Sequence, residues 1–86
     1  MNKTVILGRE YDDRLRSSLV KLIREIGGRT LSSTWGVGGS QEIETWVVDL
    51  HGDQITFEAE TYVGLSVSGE HTVIDDLVRK LAEEMK

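Results

Sequence analysis

From Ile55 to Val67 the chain reads ITFEAETYVGLSV. Ile55, Phe57, Ala59, Thr61, Val63, Leu65 and Val67 alternate there with polar or small residues. A period of two sends successive side chains to opposite sides of an extended backbone, so this stretch demands a sheet with one dry and one wet face. The alternation lasts 13 positions, whereas a strand usually has about five or six residues. Two arrangements satisfy it: a single long strand, bent so that its halves pair with different neighbours, or two strands joined tightly near Glu60 and Thr61. With no turn-forming residue before Gly64, the bent strand is the expectation.

What must cover the dry face lies at the two ends of the chain. In YDDRLRSSLVKLIREIGG, Leu15, Leu19, Leu22, Ile23 and Ile26 share one helical face, while Arg14, Ser17, Lys21, Arg24 and Glu25 share the other. Asp12 or Asp13 suits the N-cap, and Gly27-Gly28 a left-handed stop. The segment EHTVIDDLVRKLAEEMK predicts a second helix with Ile74, Leu77, Val78, Leu81 and Met85 inward. Thr72 and Asp75 resemble a capping box, with Asp in place of Glu or Gln. Asp76 with Lys80 and Arg79 with Glu83 form i,i+4 pairs on its wet side.

The remaining segments read as strands: TVIL near the start, RTLSSTWGV and QEIETWVVDL, with HGDQ as the turn before Ile55. A two- or four-residue turn there puts Trp46, Val48 and Leu50 on the same side as Ile55, Phe57 and Ala59. Thr45, Val47, Asp49, Thr56, Glu58 and Glu60 then point the other way. The expected fold is α+β, in the order β-α-β-β-β-α over residues 1–86 as one domain: a mostly antiparallel sheet with both helices on one face and the other face open.

Charge divides along the chain. Residues 1–29 hold seven Lys or Arg against four acids, and residues 79–86 sum to +1. Residues 30–78 have no Lys or Arg and nine acids, giving −5 overall. Such a block creates a negative potential over the surface it forms, and it also serves solubility. With no cysteine in the chain, a disulfide framework or thiolate zinc site is excluded and the redox compartment stays open. The start, MNKTVILGREYDD, has too short an apolar run for a secretion signal or membrane span, so a cytoplasmic location is the default expectation.

No catalytic, cofactor or metal site is expected. The glycines of WGVGGSQE lie between two strands, and no lysine follows before Lys80. A phosphate-binding loop would instead lead into a helix; here the glycines read as a turn. His51 and His71 match no zinc-ligand spacing. The i,i+2 pairs Glu42/Glu44 and Glu58/Glu60 could do acid–base work in a cleft, yet nothing in the sequence builds one. The basic stripe Arg14, Lys21 and Arg24 with Arg29 could engage only a few phosphates. The order helix–three strands–helix is similar to that of double-stranded RNA-binding domains, a match of element order alone. That family's lysine-rich start of the last helix is here TVIDDLVRK, whose Asp75 and Asp76 repel phosphate, so nucleic acid is not an expected partner.

The reading that remains is a small acidic protein-binding domain of inhibitor or immunity type. It would dock a basic partner through Asp49, Glu58 and Glu60, with Glu42, Glu44 and Trp35 at the edge of the surface. Trp46 belongs to the core. Trp35 belongs there too, unless the glycine loop presents it and Val37 as an interaction hot spot. Two alternatives stand beside this: a homo-oligomer using the open face or an edge strand, with Val47 and Tyr62 in the contact, and a small-ligand or enzyme module built on Gly36–Ser40.

Overall fold

A computed structural model describes all of residues 1–86. The elements are β1 (Asn2–Gly8), α1 (Asp13–Glu25), β2 (Arg29–Gly38), β3 (Gln41–Leu50), β4 (Asp53–Glu60), β5 (Gly64–Glu70) and α2 (His71–Glu84). The strands form one sheet in the order β1-β5-β4-β3-β2, with every neighbouring pair antiparallel. The α+β architecture with two helices therefore stands. Neither helix is long and apolar enough to cross a membrane.

The long alternating stretch is not one bent strand. β4 and β5 are the arms of a hairpin that pairs Phe57 with Val67 and Ala59 with Leu65 around Thr61-Tyr62-Val63. Tyr62 adopts φ 70° and Gly64 φ 118°, the positive angles that reverse a chain within a three-residue loop. The alternation hides the turn because paired positions sum to an even number: odd residues of β4 face odd residues of β5, so the dry side stays odd on both. Gly64 is also needed for space. A Cβ there would stand 2.5 Å from the Gly8 carbonyl oxygen, where β1 closes against β5.

At HGDQ the turn is the two-residue His51-Gly52, with Leu50 paired to Asp53. His51 and Gly52 have φ 55° and 95°, as a tight hairpin requires. That register puts Trp46 beside Phe57 and Val48 beside Ile55, the shared face that the sequence implies. Both helices lie on it. Leu15, Leu19 and Leu22 from α1 and Ile74, Leu77 and Leu81 from α2 are buried with Val48, Ile55, Phe57, Ala59, Leu65 and Val67. Ile23, Ile26, Trp46, Leu50, Val78 and Met85 pack around this core half-buried.

Helix α1 starts as its sequence implies, with the Asp12 carboxylate accepting the Leu15 amide at 3.0 Å. It ends at Gly27, φ 83°. Helix α2 departs from the capping box read at Thr72 and Asp75. The cap is Glu70, whose carboxylate accepts the amides of Thr72 at 3.0 Å and Val73 at 3.2 Å, and also the Thr72 hydroxyl. The strand runs straight into the helix, so the last residue of β5 stands where a cap must be. Asp75 instead forms an ion pair with Lys3 of β1.

Candidate functional site

Register assigns each candidate residue to a face. On the open, helix-free face β3 contributes Ile43, Thr45, Val47 and Asp49, and β4 contributes Gln54, Thr56, Glu58 and Glu60. Ser66 and Ser68 of β5 lie next to Glu58 and Thr56, and Thr4 and Ile6 of β1 complete that side. Glu58 thus sits between Thr45 and Ser66, and Glu60 between Ile43 and Gly64. Two positions apart on one strand face, the two carboxylates stand roughly 7 Å from each other along the strand. Asp49 lies opposite Arg29 of β2, and its Oδ1 accepts the Gly52 amide at 3.2 Å. None of the chain's ion pairs includes Asp49, Glu58 or Glu60.

Trp35, Glu42 and Glu44 do not join them. Glu44 pairs in register with Ala59 of β4 and Trp35 of β2, and Glu42 with Val37, which puts all five on the helix side. The expected six-residue surface is therefore two groups of three on opposite faces. Each of these two glutamates already has a partner. Arg16 of α1 donates to Glu44 Oε2 at 3.1 Å while its guanidinium lies 4.9 Å from the centre of the Trp46 ring. The Tyr11 hydroxyl donates to Glu42 Oε2 at 3.0 Å. The negative block is likewise dispersed: Asp75 and Asp76 are paired to cations around α2, and Glu70 serves as its cap. Three of nine acids reach the open face without a cation of their own. The single charge sum over residues 30–78 could not separate strand faces from helix ends.

The helix side carries a second surface, of which the sequence reading reaches only Trp35 and Val37. All ten residues of β2 are exposed, because α1 and α2 run out before the sheet does. Between α1 and the exposed strand lies a groove of about 530 Å³, lined by Val20, Ile23, Thr30, Trp46 and the Arg16–Glu44 pair. Trp35 is 63% exposed and Val37 and Val20 are each 58% exposed. Trp35 is thus not core, and it sits within β2 rather than in a loop. The turn itself is only Gly39-Ser40, and residues 36–40 line neither the groove beside α1, nor the cavity between His51 and α2, nor the one over the outer side of α1. Val20 was the available signal: it lies off the inward stripe of α1 yet is aliphatic.

The histidines lie apart. His51 Nε2 is 2.9 Å from the Ile26 carbonyl at the end of α1. His71 Nδ1 is 3.2 Å from the Met1 carbonyl and 2.9 Å from Glu70 Oε1. No three His, Asp or Glu side chains are grouped as metal ligands would be. Two carboxylates at and within α2 have lowered pKa values. The Thr72 hydroxyl holds Glu70 below the usual carboxylate range, with the Val73 and Thr72 amides and His71 acting in the same direction against desolvation. Lys80 and then Arg79 do the same for Asp76. Comparison with known proteins finds no matching family model, no similar curated protein and no similar solved structure.

Proposed function

We propose that this chain is a non-enzymatic binding domain that docks a basic partner through the open face of its sheet. The observation that supports it is the placement of Asp49, Glu58 and Glu60 on the helix-free side, with no cation of the chain in an ion pair with them. Around them lie Thr45, Thr56, Ser66 and Ser68, short side chains that donate and accept hydrogen bonds without standing far above the backbone. Ile43 and Val47 add apolar contact. A flat surface of this kind suits lysine and arginine side chains: fixed negative charge steers their approach, and adjoining hydroxyls complete the hydrogen bonding.

The test replaces Glu58 and Glu60 together by lysine and uses both chains as bait for affinity capture from the source cell, with mass spectrometry. The wild type is expected to retain a basic protein that the Glu58→Lys/Glu60→Lys chain does not. For that protein the association rate at low salt should fall by about tenfold or more, and its salt dependence should flatten. Equal capture and an unchanged association rate would remove the proposal.

A further inference from the structure

We propose that two copies of this chain pair antiparallel through β2, making one ten-stranded sheet around a two-fold axis near Trp35. The inference starts from main-chain hydrogen bonding. Gly39-Ser40 is a two-residue turn closed by the pair Gly38 and Gln41. In such a hairpin the closing pair is hydrogen-bonded and the bonded pairs alternate from there. Gly38, Gly36 and Thr34 therefore spend their N–H and C=O groups on β3, while Val37, Trp35 and Ser33 direct theirs outward, where the sheet has no further strand.

Nothing on this edge discourages another strand. Natural edges are blunted by lysine, proline, inward charge, bulges or shortness. From Thr30 to Gly38 there is no charge and no proline, and the strand is ten residues long. One irregularity, a register shift between Thr30 and Ser32, sits at its start and leaves Ser32–Gly38 regular. Pairing that segment with its own copy puts the axis at its midpoint, Trp35, and sets Ser33 against Val37 of the second copy. Two exposed indoles then lie side by side on the helix side, next to the groove that already exposes Val20.

Charge favours a second copy in antiparallel orientation. Each chain carries −5, yet the pairing segment is neutral. On the helix side its flanks differ in sign: Arg24 stands at the end of α1 adjoining the start of β2, where Arg29 is balanced by Asp49 on the open face, whereas Glu42 on β3 lies opposite Val37 near the other end. Antiparallel pairing sets the end of one copy that carries Arg24 toward the end of the other that carries Glu42; parallel pairing would set like beside like. The contact is isologous and closes after two copies. An axis perpendicular to the sheet keeps both open faces on one side, so Asp49, Glu58 and Glu60 recur twice on one continuous surface.

Multi-angle light scattering of the wild type should give twice the mass of one chain. Ser33→Pro removes an outward amide that β3 does not use and should return the mass to that of one chain, with the circular dichroism retained. Val37→Lys, at an exposed position where folding is not at stake, should do the same. Because the chain has no cysteine, Trp35→Cys, at the axis, and Ser33→Cys chains mixed with Val37→Cys chains report the contact directly. Oxidation should cross-link at least one of them and leave Ser66→Cys, on the open face, uncross-linked. A wild type that keeps the mass of one chain up to about 1 mM would overturn the inference. So would a dimer that survives both variants, or cross-linking through position 66 alone.

Discussion

At one edge of the sheet β1 is clamped. Lys3 reaches Asp75 on α2, the Met1 carbonyl accepts the His71 amide at 2.9 Å, and Val5 and Leu7 pack against the core. At the other edge β2 holds no buried or half-buried residue, and its largest side chain, Trp35, projects from the helix side into solvent. The difference comes from the number of helices. Two helices laid on one face cover β1, β5, β4 and part of β3, and a fifth strand lies beyond their reach. Residues of equal hydrophobicity thus do different work: Val67 is part of the core, and Val37 is surface.

The largest effect that could break this contrast is cavity formation. Leu65→Ala removes a fully buried side chain and should cost about 2–5 kcal/mol in urea unfolding. Val37→Ala, measured below the concentration of self-association, should change stability by no more than about 0.5 kcal/mol. Comparable losses at the two positions would show that β2 is packed after all.

Glycine substitutions sharpen the same comparison at intermediate size. Gly64→Ala meets both a positive φ and the Gly8 carbonyl oxygen, so it should destabilise by about 1–3 kcal/mol. Gly36→Ala meets nothing within 4 Å and should be neutral or stabilising, by up to about 1 kcal/mol, through the unfolded chain. A loss at Gly36 matching that at Gly64 would contradict the open edge.

The smallest effect lies at the clamped edge. Glu70 is held below its ordinary range by the Thr72 hydroxyl first and the neighbouring amides next. A carboxylate depressed in the folded state adds stability above its unfolded value, and that stability is lost as pH falls through the folded value. Glu70→Gln should therefore lower the melting temperature by a few degrees at neutral pH. It should also flatten the decline of melting temperature between about pH 5 and pH 3. An acid decline as steep as that of the wild type would remove Glu70 as its source.

Most of the fold was legible because hydrophobic period maps directly onto element type. The inward stripes of both helices and the shared face of Trp46, Val48, Ile55, Phe57 and Ala59 all follow from spacing. The β4–β5 turn was legible only as the alternative of two strands joined near Glu60 and Thr61, since a three-residue loop preserves parity and leaves the alternation intact. Of the candidate surface, Asp49, Glu58 and Glu60 were placed correctly once the His51-Gly52 turn set the register. Trp35, Glu42 and Glu44 could not be, because their face depends on β3 pairing with β4 and β2 and on the reach of Arg16 and Tyr11 from another element.

The amino-acid order alone determined that two amphipathic helices must cover one side of an antiparallel sheet, because each segment's apolar period admits a single way of hiding its dry face. Tertiary structure alone decided how far that cover extends and which carboxylates stay without a cation. Both depend on which distant strands and side chains become neighbours, and the pattern within any one segment carries no record of that.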